Sequence, residues 1–236
     1  METYREFMCR ISSFEKQAFS IEKRNFMPSQ SVLSKVNADN TFAPYYGDTV
    51  VFDLSQEYKI KIFRYINELY YHSPECFSQK LDFFTLHMTL HDLSNSAKQS
   101  EISEKMEQNM IQLSKALEKK HQLYQMIRMR TNFIINMVNT SVVLALYPVD
   151  EIEYNKLMYW YEAIDEVWKL PYPFTPHITL AYYNRYGFGE DSAIRLTEKI
   201  NELNKSFFEM MIDTKNLVYQ RFESMNSYET ILRLLT

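Results

Sequence analysis

The chain has 236 residues, 46% of them hydrophobic and 15% aromatic, which is enough apolar side chain to bury a large core and excludes a disordered segment. Its net charge of −4 argues against a protein that grips long nucleic acid by the phosphate backbone, and its 3 glycines, Gly47, Gly187 and Gly189, cannot write a Walker loop or a dinucleotide fingerprint. Its 2 cysteines, Cys9 and Cys76, form no CxxC, so neither a disulfide framework nor a structural zinc site is expected.

Residues 1–47 are the least regular. A helix is expected within residues 3–24. Pro28, Pro44, Gly47 and the run Asn37-Ala38-Asp39-Asn40 then read as loop and turn. This part reads as an N-terminal extension wrapped on the body, with Phe42, Tyr45 and Tyr46 available to cover something. The body, residues 48–236, reads as two similar lobes divided in sequence near 138/139. In the first, Thr49 to Leu54 is a β-rich apolar run. Ile60, Phe63, Ile66, Leu69 and Tyr70 follow at helical spacing over 56–71, and Phe83 to Leu90 reads as a strand. An amphipathic helix is expected over 99–126 and a strand over 132–138. The second lobe begins with an apolar strand, Ser141 to Tyr147. A helix over 150–169, a strand from Thr175 to Tyr183 and a helix over 190–205 follow. Phe207 to Ile212, Leu217 to Phe222 and Tyr228 to Leu234 read as strands.

One pattern occurs in both lobes: His87-Met88-Thr89-Leu90 and His177-Ile178-Thr179-Leu180. Side chains alternate along a strand, so each copy sets an imidazole and a hydroxyl side by side on one face. His87 follows Thr49 by 38 residues and His177 follows Ser141 by 36, as expected of a duplicated strand–helix–strand unit. An imidazole has an unperturbed pKa of about 6.5, so one can accept a proton while its partner donates one. Two such pairs in one cleft suit phosphodiester chemistry without a metal. The hydroxyls of Thr89 and Thr179 would bond the non-bridging phosphate oxygens. The sequence leaves open which histidine is acid and which is base.

With both motifs intact, residues 48–236 are similar to the 2H phosphoesterase superfamily, the LigT-like group. That resemblance implies an α+β fold in which two mixed or antiparallel sheets face a central cleft, with helices outside and one motif in each lobe. It implies action on a 2′-linked or cyclic phosphodiester of a nucleotide or short RNA, by hydrolysis or ligation, with no metal or other cofactor.

Other residues carry less specific signals. By alternation Tyr183 shares a face with His177 and Thr179 and is expected to contact substrate, whereas Tyr182 faces the core. His91 either joins the cleft or marks the strand end. Arg185 either adds positive charge at the cleft rim or is solvated. His72, His121 and the charges Glu118-Lys119-Lys120 read as surface. Two rival readings stand beside the enzyme: a nucleotide-binding module on the same fold, and a metal-dependent hydrolase using His87, His91 and Asp92. No run approaches the roughly 18 apolar residues that span a bilayer, and residues 1–11 are charged. A cytoplasmic monomer with no membrane or long-duplex partner is therefore expected, and the sequons at Asn139 and Asn204 carry no meaning.

Overall fold

The computed structural model describes residues 2–16, 21, 25–118 and 125–234. The extension contributes helix α1 (Tyr4–Lys16), the short strand β1 (Asn25–Phe26) and helix α2 (Gln30–Lys35). The body runs β2 (Tyr46–Asp53), α3 (Gln56–His72), β3 (His87–Ser96), α4 (Ser103–Glu118), β4 (Met126–Met137), β5 (Ser141–Pro148), α5 (Glu151–Asp165), β6 (His177–Tyr182), β7 (Phe188–Gly189), α6 (Glu190–Leu203), β8 (Glu209–Asp213), β9 (Leu217–Ser224) and β10 (Ser227–Arg233). The tail of the expected first helix and residues 119–124, with His121 and Lys119-Lys120, lie outside the described residues, and the helix expected to reach 126 stops short of it because Met126 opens β4.

The fold is α+β. Eight strands form one antiparallel sheet in the order β10-β9-β2-β3-β6-β5-β4-β8, and β1 pairs with β7 in a second, small sheet. The order is mirrored about the centre. The motif strands β3 and β6 are the innermost pair, β2 and β5 flank them, and β10 and β8 are the edges. Chain order and sheet order differ: β4 lies beside β5, while the C-terminal strands β9 and β10 return to complete the sheet beside β2. The halves meet at one ladder pair, Thr89 opposite His177. The seam between the two expected sheets therefore runs through the two motifs.

Local sequence explains the main elements. Strands β2 and β5 carry apolar runs, Val50-Val51-Phe52 and Val142-Val143-Leu144-Ala145-Leu146, buried on both faces. On α3, Ile62, Ile66 and Leu69 recur at steps of four and three and are fully buried, so one stripe packs inward. Asp150 caps α5, its carboxylate accepting from the Glu153 amide at 2.9 Å. The start of β3 differs from the expected strand at Phe83. Phe83–Thr85 form a 3₁₀ turn because the Asp82 side chain accepts from the Phe84 amide at 3.0 Å, and the strand begins at His87 and runs on to Ser96. Helices α3 and α6 pack together, as do α4 and α5. Met88, Leu90, Ile178 and Leu180 are buried in the apolar core, so the histidines and threonines between them face the other side.

The extension is built into the body. Gly187 has φ +75, and a Cβ there would fall 2.0 Å from the Phe26 carbonyl, so only glycine lets β1 lie against β7. The Arg185 guanidinium donates to the carbonyls of Leu33 (2.9 Å) and Val36 (2.6 Å) at the end of α2. Arg185 is thus neither solvated nor a free rim charge; it ties the extension down. No helix among the described residues is long and apolar enough to cross a membrane.

Candidate active site

A cavity of about 640 Å³ is lined by His87, Thr89, His177 and Thr179 among others. The two histidines are held alike. The Nδ1 of His87 donates to the Thr85 carbonyl at 2.7 Å, and that of His177 to the Thr175 carbonyl at 2.8 Å. A carbonyl only accepts, so each neutral ring carries its hydrogen on Nδ1 and leaves the Nε2 lone pair for other partners. Both anchors are two residues upstream of their histidine, so the motif itself sets the tautomer.

The two strands also share a bulge. Val51 pairs with Thr89 and Val50 with His91, skipping Leu90; Val143 pairs with Thr179 and Val142 with Ala181, skipping Leu180. Each skipped leucine is buried, and the alternation slips by one residue after it. Two expectations based on simple alternation change as a result, those for Tyr183 and Tyr182, and the place of His91, left open by the sequence, is fixed. Tyr183, expected in the cleft, is 0% exposed and packs on Phe26, Phe77 and Phe188, with its hydroxyl donating to Asn136 Oδ1 at 3.2 Å. Tyr182, expected in the core, lines the cavity instead. His91 borders the cavity, but it is 1% exposed and both ring nitrogens are engaged, Nδ1 donating to the Asp92 carbonyl at 2.6 Å and Nε2 lying 3.2 Å from Asp165 on α5. That orientation removes the basis for a metal site on His87, His91 and Asp92. Among the described residues no three His, Cys, Asp or Glu side chains are placed to hold a metal ion.

The residues that do face the cleft beyond the bulges are Asp92 and Tyr182, each five positions after its histidine. The sequence did carry a sign of this. In β3 the buried apolar residues Met88, Leu90 and Leu93 step by two and then by three, and a three-step in a strand marks a bulge. Tyr228 from β10 and Tyr45 and Lys35 from the extension also line the cavity. Nothing local in the sequence places these three there, because they arrive by tertiary packing.

The histidines differ in surroundings. The Tyr228 ring meets that of His87 edge to face, with centroids 5.0 Å apart. Burial in the cleft wall pushes the His87 pKa down to about 4, although part of the ring faces the cavity. The Thr85 hydrogen bond and the Asp92 carboxylate pull it up but do not overcome that desolvation. His87 is therefore neutral near pH 7.

The sequence matches no family model and no curated protein. Among solved structures it is similar to ATU0111 of Agrobacterium tumefaciens strain C58, a conserved protein of unknown function. Identity is 15% over 88% of this chain and 94% of that one, with a TM-score of 0.66. The two chains share a fold. The chain is also similar to E. coli LigT complexed with NADP+, at 13% identity over 79% of this chain and 94% of that one, with a TM-score of 0.43. TT0787 of Thermus thermophilus is similar at 13% identity over 79% of this chain and 95% of that one, with a TM-score of 0.46.

Proposed function

We propose that the chain is a 2H-type phosphoesterase that hydrolyses a 2′-linked or cyclic phosphodiester of a nucleotide or short RNA without a metal. The observation that carries this reading is the paired anchoring of His87 and His177. Both imidazoles have Nδ1 fixed to a backbone carbonyl and Nε2 without a hydrogen-bond partner among the described residues, each with a threonine hydroxyl beside it, on adjoining strands of one cleft.

In this reading the neutral His87 is the base. Its Nε2 takes a proton from water as the water oxygen attacks phosphorus. His177 is the acid: its Nε2–H donates to the ribose oxygen as the bond from phosphorus to that oxygen breaks. Each proton transfer is worth about 10²–10⁴-fold in rate. Thr89 and Thr179 donate to the non-bridging oxygens, where charge increases on the way to the transition state. The cavity, of about 640 Å³, lies within the range of roughly 300–1,000 Å³ typical of small-molecule sites, and its walls include the rings of Tyr45, Tyr172, Tyr182 and Tyr228. Tyr182 lines the cavity and Tyr183 does not, which supports Tyr182 as the tyrosine that contacts the substrate in this reading.

The test is turnover in excess EDTA of 2′,3′-cyclic nucleotides, an ADP-ribose cyclic phosphate, 2′–5′ and 3′–5′ oligoadenylates, and RNA ending in a cyclic phosphate. His87→Ala and His177→Ala proteins are assayed alongside. Chelator-resistant turnover that both substitutions abolish is the expected result. Turnover that survives either substitution refutes the two-histidine mechanism.

A further inference from the structure

Two cationic side chains other than the histidines line the cavity among the described residues, and they are in opposite situations. Arg10 is engaged. Its guanidinium bonds the Glu2 carboxylate at 2.8 Å, Thr175 Oγ1 at 2.8 Å and the Phe174 carbonyl at 2.7 Å. Lys35 has neither a carboxylate nor a carbonyl at hydrogen-bond distance among the described residues. Its ammonium lies over two rings instead, 5.2 Å from the Tyr45 centroid and 5.4 Å from that of Tyr182. Removal from water depresses its proton affinity, and Asp92 only partly offsets this. A partly desolvated ammonium without an acceptor favours an incoming anion.

The support for Lys35 is firm. Val32 and Val36 are fully buried and anchor α2, whose end is held by the two Arg185 hydrogen bonds. Ser31 stands one turn before Lys35, hence on the same helix face, and both line the cavity. The hydroxyls of Ser29, Ser31 and Thr140 close a triangle with edges of 2.6, 2.7 and 2.8 Å, and the Ser29 amide donates to the Asn139 carbonyl at 2.9 Å. A positive charge and rotatable hydroxyls are therefore presented by a segment pinned to the β4–β5 turn. Lys35 reaches the cavity from a different segment than the histidines, which stand on β3 and β6.

We propose that Lys35, with the Ser31 and Thr140 hydroxyls, binds a second phosphate of the substrate, a phosphomonoester distinct from the phosphodiester held between the histidines. The substrate class is then a nucleotide bearing two separate phosphate groups. This rests on the phosphodiesterase reading of the cleft, and the test separates the two. Calorimetry on the full chain compares adenosine 3′,5′-bisphosphate with adenosine 3′-monophosphate, neither of which requires turnover. The bisphosphate binds at least about tenfold tighter to the native protein, as a charge-assisted contact to one extra phosphate implies. In Lys35→Gln that preference shrinks to within about twofold of unity, while Lys35→Arg keeps most of it, so the conservative variant separates lost charge from lost fold. A preference near unity in the native protein, failure of both ligands to bind, or a preference that persists in Lys35→Gln overturns the proposal. A Lys35-dependent preference in a protein that turns over nothing supports the second phosphate site and refutes the phosphodiesterase reading alone.

Discussion

Strands β3 and β6 have the same backbone design in different surroundings. Each starts with a histidine anchored two residues upstream, carries a threonine two residues on, and bulges at the next leucine. The side chains packed around them diverge. Five positions after His87 stands a carboxylate, Asp92; five after His177 stands a phenol, Tyr182. Three positions before His87, Phe84 is 80% exposed; three before His177, Phe174 is 8% exposed and stacks on Tyr161 at 4.6 Å. The backbone thus fixes the tautomer of both histidines, and the side chains around them give the two rings different surroundings. A duplicated unit becomes an acid–base pair when its two copies have different neighbours.

The strongest way to break the comparison is to remove each imidazole. His87→Ala and His177→Ala are each expected to lower kcat/KM by at least about a thousandfold, since each removes a full proton-transfer partner. Folding is expected to survive both, because neither ring packs in the core. If one variant keeps near-native kcat/KM, the two strands are not a pair. Next come the hydroxyls. Thr89→Val and Thr179→Val keep β-branched shape and remove one donor each, with an expected loss of about a hundredfold in kcat and little change in KM. The Thr179 hydroxyl also acts on the Tyr182 phenol, partly offsetting the burial that raises its pKa, and both side chains line the cavity. Tyr182→Phe should therefore perturb kcat in a native background and have no added effect in Thr179→Val. Equal effects in both backgrounds remove the coupling.

The pH profile tests the asymmetry directly. His87 is lowered to about 4, first by desolvation, so as the base it loses activity only when the pH falls toward 4. The acid limb of kcat/KM is expected there, below the roughly 6.5 of a free imidazole. Tyr228→Ala opens the ring edge of His87 to water and moves the limb upward; Tyr228→Phe leaves it in place. Asp92→Asn removes a carboxylate that raises the His87 pKa, so that limb moves further down. A native limb near 6.5 would reassign the base.

The sequence made the motif strands, the flanking apolar strands and the amphipathic helices legible, because each is coded by the local period of its own residues. It carried only a trace of the bulges, the two-then-three spacing of Met88, Leu90 and Leu93. Perfect alternation through Leu90 and Leu180 sends Tyr183 to the cleft, whereas the skipped leucine sends Tyr182 there and turns His91 toward Asp165. Register depends on the partner strands β2 and β5, which lie far away in the chain. The same holds for Lys35 and Tyr228, which β2, β9 and the Arg185 clamp deliver from opposite ends of the sequence. Residue types within each strand were readable; which of them meet was not.

The smallest expected effect concerns a connection that one half has and the other lacks. Strands β4 and β5 are joined by a tight turn, whereas their mirror counterparts β9 and β2 are paired without a direct connection. The turn requires left-handed backbone at Val138 (φ 45) and Asn139 (φ 55). Asparagine tolerates that region, but a β-branched valine is strained there by an amount on the order of 1–3 kcal/mol. Val138 is also 75% exposed, so its side chain gains little from packing. Val138→Asn is therefore expected to stabilise the protein by about 1 kcal/mol, raising Tm by roughly 2–4 °C in a domain of this size. Calorimetric or denaturant unfolding reads the change. The turn also carries the Asn139 carbonyl that holds Ser29, so its strain is kept next to the segment presenting Lys35. A stabilised variant with unchanged nucleotide affinity would mean the strain is only a by-product of the short connection. A stabilised variant with weaker affinity would mean the strained turn sets the position of α2 over the cleft.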